Sequence, residues 1–84
     1  MPDRRRQPVL VSFGDAVRRQ RRLRGWSQEE LADRAQIHRT YVADVERGVR
    51  NLGLVNLAKI AAALHVSLAT LVSEVDIDAV LPDR

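Results

Sequence analysis

Cysteine is absent from the 84 residues. That excludes disulfides, thiolate nucleophiles and cysteine-ligated zinc or iron–sulfur centres. Histidine occurs twice, as His38 and His65, with no further ligand type clustered beside either. No metal or other cofactor is expected. Aromatic residues make up 4% of the chain: Phe13, Trp26 and Tyr41. The core therefore has to come from Leu, Val, Ile and Ala, which suits a compact helical domain better than a β-sandwich. Long apolar runs are missing as well. The longest, Ile60 to Leu64, has five residues, against the ~20 that a membrane span needs. Val9-Leu10-Val11 is too short for a secretory core. The expectation is a cytoplasmic chain with no membrane partner.

What is present is arginine. Thirteen of the 14 cations are arginine, and Lys59 is the sole lysine. Met1 to Arg50 holds 12 basic and 7 acidic residues, net +5, while Asn51 to Arg84 holds 2 and 4, net −2. Arginine's planar fork matches phosphate and guanine edges better than a lysine point charge. The asymmetry points to a polyanion-facing half and a second face with another task; the plainer alternative is solubilising surface charge. At this length folding buries only ~60–65% of the extended chain's surface. That leaves one domain with no room for a large catalytic cleft. Ser12, Ser27, Ser67 and Ser73 lack evident His–Asp partners, and no glycine-rich phosphate loop occurs, so neither an enzyme nor a small-molecule ligand is expected.

Five helices are legible. Residues 1–12, with Pro2, Pro8 and Arg4-Arg5-Arg6, read as a mobile basic arm, either solubilising or a minor-groove contact. Phe13 to Arg24 reads as a first helix with Phe13, Ala16, Val17 and Gln20 on one face, stopped by Gly25. Ser27-Gln28-Glu29-Glu30 is a capping box opening a second helix to about Ala35, with Leu31, Ala32 and Ala35 inward. After Gln36-Ile37 a third helix covers about Arg39 to Arg47, with Val42 and Val45 inward. A fourth spans Leu54 to Leu64, with Leu54, Leu57, Ala58, Ala61 and Leu64 at helical spacing. Ser67 caps a fifth from Leu68 to about Val75. The domain is thus 13–75, followed by an acidic tail, 76–84.

The short second and third helices make sense as a helix-turn-helix, in which the first braces on the DNA backbone and the second enters the major groove. The outward positions of the third helix are Arg39, Thr40, Ala43, Asp44 and Arg47. Arg39 can grip a guanine edge bidentately, for about 1–3 kcal/mol of discrimination. Ala43 is small enough to meet a thymine methyl. Thr40 and Tyr41 can reach phosphate or base edges, although Tyr41 can equally pack beside the helix pair. Asp44 reads as a helix-surface acid or a cytosine contact. Gln28, Arg50 and Asn51 are placed as backbone clamps. Trp26 reads as packing at the helix joint, and His38 and His65 as surface or capping residues.

The order Ser27-Gln28-Glu29-Glu30-Leu31-Ala32, Ala35, Ile37, Tyr41-Val42, Val45-Glu46-Arg47-Gly48 and Leu57-x-x-Ile60-Ala61-x-Ala63-Leu64-x-Val66-Ser67-Leu68 resembles the phage lambda repressor/Cro (XRE-like) helix-turn-helix family. The match spans Phe13 to about Leu71. Within it, Arg39-Thr40-Tyr41-Val42 and Glu46-Arg47-x-x-Arg50-Asn51 are most similar to the controller proteins of restriction–modification systems. The resemblance implies an all-α, five-helix lambda-repressor-like DNA-binding domain. It implies base reading by Arg39, Thr40, Tyr41, Ala43 and Asp44, and backbone support from Gln28, Arg47, Arg50 and Asn51. It also implies an ion pair between Arg21 and Glu46. The sequence departs from the family at Gln20 (usually apolar), Gln36 and His65 (commonly glycine), His38 (often a better N-cap) and Leu52 (commonly proline). A non-glycine at Gln36 calls for a positive φ there.

One reading helix covers half a useful site, so a two-fold dimer is expected on an inverted repeat. Leu68, Leu71, Val72 and Val75 supply a seam, with Leu68 expected inward and the other three partly at the interface. The reading is a transcriptional regulator whose partners are double-stranded DNA, a second copy and RNA polymerase. The alternative is an antitoxin-like interaction module that masks a partner protein. Its mark would be a long disordered segment after the domain, where nine residues follow Val75.

Overall fold

The computed structural model describes residues 7–75 and 77–80, and among these every regular element is helical. They are α1 (Pro8–Leu23), α2 (Gln28–Ala35), α3 (Arg39–Glu46), α4 (Leu54–Leu64), α5 (Leu68–Val72) and a 3-10 turn, Ile77–Ala79. Helices α2 and α3 pack on each other, α1 lies against α3, and α4 supports α2. Helix α5 closes the fold against α1 and α4. Leu31, Ile60, Leu64, Leu71, Val17, Val42 and Val45 fill the interior. Each large aliphatic side chain buried this way contributes about 1.5–3 kcal/mol.

Helix α1 begins at Pro8, not Phe13. Residues 8–12, assigned above to a mobile arm, are its first turns. Proline at the start of a helix gives up only an amide that has no intrahelical partner, and its φ is already helical. Val9 and Leu10 then extend the apolar face of Phe13, Ala16 and Val17 by one more turn. The Arg4-Arg5-Arg6 segment lies outside the described residues.

The turns follow their residues. Gly25 (φ 70°) and Gly48 (φ 75°) take the left-handed conformation. Gln36 and His65 do so as well, each at φ 58°, where the family usually has the residue without a Cβ. Ser27 accepts from the Glu30 amide at 3.0 Å. Glu30, expected to complete the capping box, turns its carboxylate to Arg34 at 3.1 Å, one helical turn on. His38 caps α3 through Nδ1, which accepts from the Thr40 amide at 3.1 Å.

Three inward assignments change. On α4 the buried face is Ile60, Ala61, Ala63 and Leu64, with Leu57 partly covered, while Leu54 is 70% exposed and Ala58 is also exposed. The fully buried residues of α4 all lie in its C-terminal half, and of its first turn Leu57 alone packs on the core. Helix α5 is five residues long instead of eight. Its phase is also the reverse of that expected: Leu71 is 1% exposed, whereas Leu68 is 37% and Val72 39% exposed. Leu71 thus belongs to the core, and Leu68 faces outward. Ser67 starts the helix as expected, by accepting from the Thr70 amide; the packing of α5 against α1 and α4 is what turns Leu71 inward.

Candidate nucleic-acid interface

Glu46 ends α3 with a fully buried side chain. Arg21 of α1 donates Nε to its Oε2 at 2.6 Å and Nη2 to its Oε1 at 2.9 Å. Gln28 of α2 donates to Oε1 at 3.1 Å. Arg18 donates to the Glu46 backbone carbonyl at 2.8 Å. Arg21 spends a further donor on the Trp26 carbonyl at 2.8 Å. One carboxylate therefore ties α1, α2 and α3 together just behind the surface that carries the outward arginines. Burial pushes Glu46 up. The hydrogen bonds from Arg21 and Gln28 and the charges of Arg21 and Arg18 outweigh it and hold the carboxyl below its ordinary range. The same hydrogen bond raises Arg21 against the effect of its own burial.

The sequence placed Gln28 among the backbone clamps; in the folded chain its amide is engaged by Glu46. Two close backbone approaches in this region escaped the sequence reading. A Cβ on Gly14 would lie 2.3 Å from the Val45 carbonyl oxygen, and one on Gly48 would lie 2.8 Å from the Cα of Val11. Glycine inside a helix is a signal for such contacts. What it touches is a matter of tertiary structure.

The outer face of α3 stands free of this hub. Arg39 and Thr40 are exposed at its N-terminal end, Ala43 is partly covered, and Arg47 projects from its C-cap. Among the described residues Arg39 meets Glu29 alone, at 4.0 Å between two well-exposed side chains; such a pair is worth little. Tyr41 is half-buried against the core, and the Arg50 guanidinium lies 4.8 Å from its ring centroid. Asp44 is engaged by both Arg47 and Arg50. Asn51 is exposed in the following loop. The structure thus gathers Arg39, Thr40, Ala43, Asp44, Arg47 and Arg50 on one side of α3. Trp26 sits at the α1–α2 joint with the Arg34 guanidinium 4.2 Å from its ring centroid and that of Arg24 at 5.8 Å, which is packing and not an interface.

An eight-residue helix braced by another eight-residue helix, with a left-handed residue at the turn and a cationic outer face, defines a helix-turn-helix protein. The chain belongs to the helix-turn-helix family, whose model matches residues 17–71. It is 49% identical over 59 residues to the control protein C.BamHI of Bacillus amyloliquefaciens, covering 69% of this chain and 73% of that one. Its fold is similar to that of the restriction–modification controller protein C.AhdI from Aeromonas hydrophila, with a TM-score of 0.72 and 47% identity over 74% of this chain and 94% of the other. It is also similar to C.Esp1396I bound to a 19 base pair DNA duplex, with a TM-score of 0.71 and 31% identity over 77% and 87% of the two chains. The XRE-like resemblance noted above is therefore that of a family member.

Proposed function

We propose that this chain is a sequence-specific transcriptional regulator that binds an inverted-repeat operator as a homodimer and serves as the controller of a restriction–modification system. The observation that carries the reading is the outer face of α3. The exposure of Arg39 and Thr40 and the small, partly covered Ala43 support their reading as base-contacting residues, and among the described residues Arg39 pairs with Glu29 alone. Arg47, Arg50 and Asn51 flank them as phosphate contacts. Controller proteins among the similar chains support the regulatory setting, and C.Esp1396I on its duplex supports DNA as the ligand. RNA polymerase is then the machine whose access such a regulator governs.

A homodimer is supported by a groove of about 330 Å³ lined by Val9, Leu10, Leu52, Val72, Val75 and Ile77. Val72 and Ile77 of its lining are exposed, as are Leu68 and Val80 of the same C-terminal segment, and exposed apolar surface of that kind on a small domain supports an interface.

The test is selection of bound duplexes from a randomised pool at moderate salt. Enrichment of an inverted repeat with fixed spacing is the expected result. Salt-sensitive binding with no enriched sequence would reduce the arginines to general phosphate attraction and would favour the partner-masking alternative.

A further inference from the structure

Asp44 is the one acid on the outer face of α3, and a carboxylate there repels phosphate. Its side chain is nevertheless only 18% exposed, against 63% for Arg47 and 44% for Arg50. Each of its oxygens is taken by a different arginine. Arg47 donates Nη2 to Oδ1, and Arg50 donates Nη2 to Oδ2 at 3.2 Å. Arg50, in turn, lies over the Tyr41 ring. Tyr41, Arg50, Asp44 and Arg47 form one continuous chain of contacts along the C-terminal flank of α3. With an arginine on each oxygen and its side chain largely covered, Asp44 is turned to its own chain and offers a cytosine amino group little of its surface.

We propose that Asp44 is not a base reader but the positioning residue of a two-arginine phosphate clamp: it fixes Arg47 and Arg50 beside α3, with the Tyr41 ring as the floor under Arg50. The proposal rests on the reading of α3 as the DNA-contacting helix. A guanidinium has five N–H donors, so an arginine that gives one or two to Asp44 keeps others for phosphate. An arginine already held in place loses less rotamer freedom on meeting DNA. The carboxylate also cancels one of the two positive charges, which weakens attraction to duplexes of any sequence while leaving the geometry for the right one. The two guanidinium groups, Arg47 foremost through its hydrogen bond, hold Asp44 below the ordinary carboxylate range, so it stays ionised at neutral pH.

The experiment compares the full chain with Asp44→Asn and Asp44→Glu. Proton NMR of the free protein reads the Arg50 side-chain resonances, which the Tyr41 ring current shifts. Binding is measured across a salt series to a duplex of arbitrary sequence and to the duplex enriched by selection. Asp44→Asn is expected to lose the Arg50 ring-current shift and to bind the arbitrary duplex several-fold tighter. Its log–log salt slope should steepen by about one phosphate contact's worth, with no gain on the enriched duplex. Asp44→Glu should restore the shift and the discrimination. If Asp44→Asn keeps the Arg50 shift and relaxes preference at one base pair only, Asp44 reads that base and the proposal fails. If the shift persists and both duplexes tighten equally, Asp44 is mere surface charge and the proposal also fails. Should selection enrich nothing, the regulator reading falls, yet the NMR shift and the arbitrary-duplex slope still decide whether Asp44 positions the arginines.

Discussion

Arg39 and Glu46 bracket α3, and opposite physics governs them. Arg39 is well exposed, with one weak partner, so truncating it should leave folding intact. Arg39→Ala is expected to unfold at the wild-type urea concentration while losing about 1–3 kcal/mol of discrimination between the selected site and one altered at the guanine it grips. Competitive binding at fixed salt checks this; unchanged site preference would remove Arg39 from base reading. Glu46 is buried and paired. Glu46→Gln leaves the Arg21 guanidinium with an uncompensated charge, and removing one partner of a buried pair costs about 3–5 kcal/mol. For a domain of this size that is a fall in Tm of roughly 12–40 °C, at about 4–8 °C per kcal/mol. The pH dependence has a definite sign. Folding lowers the pKa of Glu46, so its contribution is complete above the ordinary carboxylate range and is lost as pH falls through the lowered value. Denaturation midpoints measured from neutral to acid pH should decline more steeply for the wild type than for Glu46→Gln.

Helix α1 meets α3 through Gly14, and the contact is backbone to backbone. An added Cβ would sit 2.3 Å from the Val45 carbonyl oxygen and 2.9 Å from that of Glu46. Neither oxygen can swing aside as a side chain would, so Gly14→Ala must push α1 away from α3 and disturb the Arg21–Glu46 pair. A loss of about 1–3 kcal/mol, the usual scale for overpacking, is expected in urea denaturation, although alanine is the better helix former in isolation. A neutral or stabilising effect would mean that the two helices are not held at this distance. Gly14 also marks how far sequence carries. Helices α2, α3 and α4 and the inward residues Leu31, Ala32, Ala35, Val42 and Val45 follow from periodicity and capping alone. The outward residues of α3 follow from the same periodicity, so most of the candidate site was legible. The first turns of α1 were not, because Pro8 reads equally well as a loop residue or as a helix start. The phase of α5 was not legible either. Leu68, Leu71, Val72 and Val75 offer an apolar stripe whichever neighbour they face, and only the placement of α1 and α4 decides that Leu71 goes in. Nor could spacing have told that both oxygens of Asp44 are engaged, since Arg50 reaches it from beyond the helix.

The proposed reading helix is α3, and the proposed interface is the apolar groove between the start of α1 and the α5 segment; if the two tasks are separate, separate mutations should part them. Val72 is 39% exposed and Leu71 is buried beside it. Val72→Asp places a charge on the proposed interface without opening the core, so the monomer should keep its stability to within ~0.5 kcal/mol, as for most surface changes. Leu71→Ala, by contrast, should cost about 2–5 kcal/mol of stability by leaving a cavity. Two reading helices on a two-fold axis engage half-sites ~34 Å or a multiple of it apart. Binding of the second is then an intramolecular event at high effective concentration. The Val72→Asp chain should therefore sediment as a monomer and bind the complete inverted repeat at least tenfold more weakly than the wild type. On a duplex carrying a single half-site the two should bind alike, since α3 and its arginines are untouched. A Val72→Asp chain that still sediments as a dimer and binds the repeat at full strength would move the two-fold contact away from α5. Weakened binding to both duplexes together would instead mean that α5 holds α3 in place and that the two tasks are not separable.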